Sequence, residues 1–251
     1  MKNYTPIVNT HNEWDPLEEI IVGIVEGATI PPWETATPAV VHHEHLLEFY
    51  RQNGGRPWPQ EMLDAAQKDI DEFVHILEAE GVTVRRPSAY ETSKSFSTPD
   101  FESQSSCGAL MPRDVLVVIG DQIIEAPMGW RSRFHENHAY KDLCKQYFQQ
   151  GARWVSAPRP QLGRASYQQD FTPPQENEPM HTVLTEFEPL FDAADLIKCG
   201  TDIFIAQSST CNRSGIEWLQ RHLGELYTVH EVEVFDTHPL HLDATFYPLA
   251  P

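Results

Sequence analysis

The sequence predicts an α/β fold built from repeated strand–helix–strand units, and two observations support this prediction. Three segments each run from a short apolar strand through an amphipathic helix and a helix-ending glycine to a second strand, which is the order typical of layered α/β proteins. The three glycines, Gly81, Gly151 and Gly224, lie about 70 residues apart, and a period of this length indicates supersecondary units arranged around an axis.

The first unit begins with an apolar strand at 20–24 and continues into a long helix at 61–80. Apolar residues recur at helical spacing on one face of this helix; they are Leu63, Ala66, Ile70, Phe73, Val74 and Leu77. Gly81 is expected to end the helix because glycine adopts the left-handed conformation without a steric cost. A second strand, 82–84, then follows.

The second unit has an apolar strand at 115–119 and a turn at Asp121. Its helix carries one apolar stripe, which consists of Tyr140, Leu143, Cys144, Tyr147 and Phe148. Gly151 ends the helix, and the strand 154–155 continues up to Pro158. The order of elements therefore repeats that of the first unit.

The third unit runs from a strand at 203–205 to an alternating strand at 229–234. Its helix ends at Gly224 and carries the apolar residues Ile216, Leu219 and Leu223. A further strand, 244–247, is expected to begin a fourth unit, and the sequence ends at Pro251. We therefore expect little more than three units.

Two polar connectors are predicted to be surface loops. The segment 88–106 is rich in Ser and Thr, and the segment 158–179 is rich in Pro and Gln. Such compositions favour turns and irregular structure over strands and helices.

Composition and charge exclude several classes of protein. The 251 residues include 37 acidic and 18 basic residues, for a net charge of −19, so nucleic acid and anionic membranes are poor partners. No apolar run approaches the roughly 20 residues of a membrane helix. The four cysteines have no C-x-x-C spacing, and no signal peptide opens the chain, which predicts a cytoplasmic, reduced protein.

Several carboxylates and one histidine are candidate functional residues. His241 and Asp243 lie two apart on the predicted last strand, so both side chains are expected on one face, as an acid/base pair or as a structural hydrogen bond. Asp192 and Asp195 are three apart and are suited to capping a turn. Asp114 begins a predicted strand.

Taken together, these residues suit the chemistry of a guanidinium group. A guanidinium is a planar fork of donors that carboxylates hold in bidentate geometry. Attack on its central carbon requires a nucleophile, usually a thiolate, and an acid to protonate the departing amine. His241 fits the second role.

A series of ordered motifs extends over nearly the whole chain: EWDPLEE at 13–19, MPRD at 111–114, IIEAP at 123–127, FEP at 187–189, FDAAD at 191–195, GIEW at 215–218 and HLDATF at 241–246. With these motifs the sequence resembles the arginine:glycine amidinotransferase family. The resemblance implies a pentein fold, which is an α/β propeller of five ββαβ units around a central active site. The repeats counted above would then be about three of the five units, so that 1–251 forms the N-terminal portion of a pentein domain.

The resemblance also implies roles for single residues. Asp192 matches the family's catalytic aspartate and His241 its catalytic histidine, while Asp114 and Asp243 match carboxylates that hold the substrate guanidinium. The implied reaction is ping-pong: a cysteine attacks arginine, ornithine leaves with a proton from His241, and an acceptor amine collects the amidino group. Neither a metal nor an organic cofactor is implied, and family members are often homodimers.

The family's nucleophilic cysteine lies in a Gly-rich segment near the C-terminus, and the sequence ends at Pro251 before such a segment. We therefore expect that the nucleophile is missing from these residues. Cys211 precedes the third helix, whose dipole could lower the pKa of its thiol, although a buried, inert cysteine is the commoner case. Cys144 is expected in the core, and none of the four cysteines matches the family's nucleophile. Cys107 and Cys199 lie in turn-like contexts.

Two alternatives remain open. The first is a metal hydrolase, because His238, His241 and Asp243 form an H-x-x-H-x-D pattern and further histidines cluster at 42–45; two histidines and a carboxylate suit zinc, although no H-E-x-x-H framework accompanies them. The second is a non-catalytic paralogue or split-gene fragment that binds guanidino compounds or a complementing C-terminal fragment.

Overall fold

Three small sheets, each with one parallel pair of strands, organise the chain. The structure is a computed structural model, and it describes residues 6–41, 43–175, 178–235 and 240–249. Each parallel pair is connected through a helix, as in the βαβ crossover.

The first unit consists of β1 (Glu19–Ile21), α1 (Thr37–Val40), α2 (Glu44–Asn53), α3 (Gln60–Ala79) and β2 (Thr83–Arg85). The strands β1 and β2 are parallel. Gly81 has a φ of 85°, so the predicted helix end is confirmed. The predicted first strand is too long, because the chain leaves β2 after Val22 and forms a single bridge with Ala109 instead.

The two connectors predicted to lie on the surface are partly buried. The first contains a short antiparallel hairpin, β3 (Phe96–Ser97) and β4 (Glu102–Ser103). Phe101 from the first connector and Leu162 and Tyr167 from the second pack into one apolar cluster. The prediction failed because the two connectors are polar overall and contain few large apolar side chains. These few side chains form a second core.

The second unit consists of α4 (Pro112–Val115), β5 (Leu116–Ile119), β6 (Gln122–Glu125), α5 (Lys141–Gln149) and β7 (Arg153–Ser156). The pair β5 and β6 is antiparallel, and β6 and β7 are parallel. All four residues of β6 are buried, including its polar ends. The strand was missed because its glutamine and glutamate do not alternate with apolar residues.

The third unit consists of β8 (Leu196–Cys199), β9 (Asp202–Ala206), α6 (Arg213–Leu223) and β10 (Thr228–Val232). It repeats the order of the second unit, with β8 antiparallel and β10 parallel to β9. The prediction of repeated ββαβ units in an α/β fold is therefore confirmed for these two units.

The predicted strand at 244–247 is wrong. A 3-10 helix, Leu242–Ala244, lies there instead, and the amide of Phe246 donates to the carbonyl of Leu242. None of the described residues forms a ladder with this segment. Hydrogen bonds within this turn satisfy backbone groups that a strand would have used to pair with a neighbouring strand.

The main core lies between the second and third units. It buries apolar side chains from α4, β5, β6, β8, β9 and α6, among them Val115, Ile119, Ile124, Leu196, Ile203, Ile205 and Leu219. At one end of this core, α4 packs against a 3-10 helix, Ala193–Asp195, which in turn packs against the 3-10 helix Leu242–Ala244. These contacts bring three distant segments together.

Apolar side chains near the strand β10 predict self-association of the 251-residue chain. Leu226 is 76% exposed and Phe235 is 90% exposed, and among the described residues β10 forms the edge of its sheet. Exposed apolar side chains beside an open strand edge favour pairing with a second chain. We expect light scattering at micromolar concentration to give masses above that of the monomer, and Leu226→Gln with Phe235→Gln to reduce them. A single monomeric peak for the unmodified chain would contradict this expectation.

Candidate active site

The structure brings together all four residues for which a role was predicted. Asp114 lies in α4, Asp192 directly precedes the 3-10 helix Ala193–Asp195, and His241 and Asp243 belong to the 3-10 turn at the C-terminal end of the described chain. Because these short helices pack against one another, their side chains meet at the end of the main core. Asp114 is the third residue of the short helix Pro112–Val115 and does not begin the strand predicted for it.

His241 and Asp192 form the centre of the cluster. Nε2 of His241 lies 3.2 Å from Oδ2 of the fully buried Asp192, and Nδ1 lies 3.8 Å from Oδ1 of Asp114. Burial alone would lower the pKa of His241, but the hydrogen bond to Asp192 and the charges of Asp195, Asp192 and Asp114 raise it to about 9. The imidazole is therefore a proton donor at neutral pH.

Asp195 holds the backbone that presents Asp192, as expected of a capping residue. Its Oδ2 accepts from the amide of Asp192 at 2.8 Å, and its Oδ1 accepts from the Ser208 hydroxyl at 2.7 Å. The Thr210 hydroxyl donates to Oδ2 of the same carboxyl group at 2.9 Å. Burial and the charge of Asp192 together raise the pKa of Asp195 to about 7, although the charge of His241 and the hydrogen bond from Ser208 lower it.

His241 and Asp243 do not share a strand face, so that part of the prediction is wrong. His241 caps the 3-10 helix in which Asp243 is the second residue, and residues two apart in a 3-10 helix point in different directions. Oδ2 of Asp243 accepts instead from Nε of Arg113 at 3.3 Å. Burial raises the pKa of Asp243, Arg113 and His241 lower it, and Asp114 raises it, so its carboxylate belongs electrostatically to the same cluster.

The sequence did not reveal the buried arginine of the cluster. Nη1 of Arg133 lies 2.9 Å from Oδ2 of Asp114 and 3.0 Å from Oδ2 of Asp192. Its Nε and Nη2 bind Glu136, whose pKa is raised by burial to about 7 although Arg133 lowers it. The signal that the sequence offered for this arginine was its position three residues before a glutamate, among aromatic residues.

The cluster suits a guanidinium better than a metal ion. Asp114, Asp192 and His241 each offer one ligand atom, and these atoms lie within 4.8 Å of one another. However, Nη1 of Arg133 already binds both carboxylates, and its charge would oppose a divalent cation there about twice as strongly as a monovalent guanidinium. His238 and His42 of the metal alternative lie outside the described residues.

None of the four cysteines of the sequence is placed as a reactive thiolate. Burial raises the pKa of Cys107 and of Cys144 to about 12, and it also raises that of Cys199. Cys211 precedes α6 as predicted, but its burial, together with the charges of Asp195 and Asp192, raises its pKa well above the ordinary value. The helix dipole therefore does not give Cys211 a low pKa, in agreement with the buried, inert cysteine that is the commoner case, and the core position of Cys144 is confirmed.

A large cavity in the described part of the chain lies away from this cluster. It has a volume of about 860 Å³ and is lined by residues that include Trp33, Phe96 and Arg131. None of the four predicted site residues lines it. The acidic cluster carries the stronger chemical signal, because a half-buried imidazole and several carboxylates are paired there.

The described residues contain no helix that is both long enough and apolar enough to cross a bilayer.

Comparison with known proteins gives consistent matches. The chain is 49% identical over 248 residues to the L-arginine:L-lysine amidinotransferase of Pseudomonas savastanoi pv. phaseolicola, covering 98% of this chain and 68% of the relative. It is 47% identical over 251 residues to the mitochondrial glycine amidinotransferase of Danio rerio, covering 97% of this chain and 59% of that protein. No family model matches the sequence.

A solved structure agrees with these matches. SxtG, an amidinotransferase from Microseira wollei in the saxitoxin biosynthetic pathway, superposes with a TM-score of 0.92 at 49% identity. The match covers 97% of this chain and 69% of SxtG. Across the three relatives, the chain therefore spans from 59% to 69% of the relative's length.

Proposed function

Because the chain belongs to the amidinotransferase family and has its pentein-type α/β fold, we propose that it takes part in transfer of the amidino group from arginine to an acceptor amine. One observation carries the proposal: the imidazole of His241, whose side chain is 13% exposed, is paired with Asp192 beside a second carboxylate, Asp114. The same aspartates already bind the guanidinium of Arg133. This cluster therefore has the charge and the hydrogen-bonding groups that an arginine substrate requires.

The donor guanidinium is proposed to lie between Asp114 and Asp243. Oδ2 of Asp114 is taken by Arg133, whereas its Oδ1 faces His241 at 3.8 Å. Asp243 is partly exposed and is held from one side by Arg113. A planar cation between these two carboxylates would present its central carbon next to the imidazole of His241.

His241 is proposed to move the protons of both half-reactions. A thiolate attacks the central carbon, a C–S bond forms, and the C–N bond to ornithine breaks while His241 gives its proton to the leaving nitrogen. In the second half-reaction the acceptor amine attacks the same carbon, the C–S bond breaks, and His241 takes a proton from the attacking nitrogen. Atoms and charges balance, and the thiolate is regenerated.

The thiolate is proposed to come from outside these 251 residues. This follows from the raised pKa of all four cysteines and from the burial of Cys144 and Cys211. A complementing C-terminal fragment is a source of the missing group, whereas a second copy of the same 251 residues brings only the same four cysteines. The raised pKa of all four cysteines also favours a second candidate function, in which these residues bind guanidino compounds without turning them over.

Calorimetry with L-arginine tests the proposed donor site. We expect the 251-residue chain to bind L-arginine and Asp243→Asn to weaken that binding at least tenfold, about 1.4 kcal/mol. Citrulline, which is neutral, should bind much more weakly because it brings no charge to the carboxylates. The matched control is Asp202→Asn, since Asp202 is an exposed carboxylate that pairs with His230. Equal affinity of Asp243→Asn and the unmodified chain would contradict the donor site.

A turnover assay separates the two candidate functions. With arginine and hydroxylamine, the 251-residue chain alone is expected to release no ornithine. Ornithine release that is lost in His241→Ala would place the nucleophile among the four cysteines and would contradict an external thiolate.

A cytoplasmic location is also proposed, supported by four cysteines that are all free. The Danio rerio relative is mitochondrial, so cell fractionation has to distinguish the two compartments.

A further inference from the structure

The proposed reaction gives no part to the buried cation of the cluster. The side chain of Arg133 is 11% exposed, and its Nη1 joins Asp114 from the second unit to Asp192 from the third. We propose that Arg133 is a positioning residue of this site, which holds the carboxylates of Asp114 and Asp192 in the orientation that faces His241. The inference rests on the proposed function, because it assigns a part in the same site.

Arg133 is itself held in a fixed orientation. Its Nε lies 2.5 Å from Oε2 of Glu136, and its Nη2 lies 3.1 Å from Oε1 of the same carboxylate. Glu136 is only 3% exposed. Such a bidentate pair fixes the plane of the guanidinium, so the remaining nitrogen, Nη1, can point only at the two aspartates.

The backbone that carries Arg133 is anchored as well. Glu34, from the first unit, accepts from the amide of Arg131 at 3.0 Å, from the amide of Ser132 at 3.3 Å and from the Ser132 hydroxyl at 2.5 Å. Burial raises the pKa of Glu34, and these hydrogen bonds lower it. The turn Arg131–Arg133 is thus fixed to a different unit from those that carry the aspartates.

One carboxylate oxygen connects Arg133 to the proton donor. Oδ2 of Asp192 accepts from Nη1 of Arg133 at 3.0 Å and lies 3.2 Å from Nε2 of His241. Without the guanidinium, the uncompensated charges of Asp192 and Asp114 would bind the proton of His241 more strongly. A general acid works best when its pKa lies near the working pH. Arg133 therefore serves the reaction by limiting the rise in the pKa of His241 that the two aspartates cause.

Titration of His241 by NMR in the 251-residue chain tests the inference without arginine. We expect Arg133→Met to raise the pKa of His241 by about one unit or more, and Arg133→Lys by about half a unit or more, because one ammonium group cannot hold Glu136 and both aspartates together. The matched control is Arg131→Lys in the same turn, because Nε of Arg131 donates to the Leu162 carbonyl and not to the cluster. Its His241 should titrate as in the unmodified chain.

The titration shows whether Arg133 acts on His241 through the two aspartates. If Arg133→Met does not fold, the titration of Arg133→Lys is the test. A folded Arg133→Lys protein in which the pKa of His241 rises by less than about half a unit, or falls, assigns Arg133 to stability only and overturns the inference. Failure of arginine to bind in calorimetry would overturn the proposed function and leave this titration unaffected.

Discussion

Replacing Asp192 by asparagine is expected to lower the free energy of unfolding by about 3–5 kcal/mol, the range for breaking a buried ion pair. Asp192 is fully buried, and its carboxylate meets Arg133 at 3.0 Å and His241 at 3.2 Å. The neutral amide would leave the positive charges of Arg133 and His241 without the negative charge of this carboxylate. Urea denaturation measures the change.

The control for this substitution is Asp202→Asn, which removes a partly exposed pair with His230 and should cost less than about 1 kcal/mol. If Asp192→Asn also lowered the free energy of unfolding by less than about 1 kcal/mol, the Asp192 carboxylate would not be needed to balance the charges of Arg133 and His241.

The pH dependence of the same variant gives an independent check. The pKa of His241 is raised from 6.5 to about 9 in the folded protein, so its contribution to stability is fully present below pH 6.5 and is lost as the pH rises through about 9. Asp192→Asn should bring the pKa of His241 back toward 6.5. The difference in unfolding free energy between the unmodified chain and the variant should therefore be larger at pH 6 than at pH 9.5. An equal difference at both pH values would show that Asp192 does not set this titration.

Gly215→Ala is expected to be strongly destabilising, by about 3 kcal/mol, at the upper end of the range for overpacking. A Cβ at this position of α6 would lie 2.2 Å from the carbonyl oxygen and 2.8 Å from the carbonyl carbon of Leu190. These are backbone atoms two residues before Asp192, so the substitution would also displace the catalytic candidate. Helix propensity alone predicts the opposite sign, a gain of up to about 1 kcal/mol.

Urea denaturation of Gly215→Ala distinguishes these two effects. The control is Glu217→Ala on the exposed face of the same helix, where only an exposed pair with Arg221 is lost and the change should stay within about 0.5 kcal/mol. A Gly215→Ala protein at least as stable as the unmodified chain would contradict the close packing of α6 on the segment before Asp192.

Long periodic segments of the fold were predictable from the sequence, and short ones were not. The helix expected at 61–80 is found at Gln60–Ala79, because its stripe of apolar residues repeats over about four turns. The strand β6 was not predicted, because its buried glutamine and glutamate are paired by neighbours distant in sequence. The strand expected at 244–247 failed because alternation over four residues is a weak signal when the described residues offer it no partner strand.

The candidate site was predictable only in part. Asp114, Asp192 and His241 were singled out as residue types suited to a guanidinium, and the structure places them side by side. The spacing of His241 and Asp243 suggested a shared face, which the 3-10 turn does not provide. Arg133 remained hidden, because an ion pair that joins residues far apart in the chain leaves no local pattern.

A crystal structure of the 251-residue chain with bound L-arginine tests most directly whether this cluster is the receptor for the donor. We expect the guanidinium nitrogens within about 3 Å of the carboxylates of Asp114 and Asp243, with the central carbon next to His241 and Arg133 still bound to Asp192. Arginine located instead in the cavity of about 860 Å³ beside Trp33, with the cluster unoccupied, would contradict the proposed donor site.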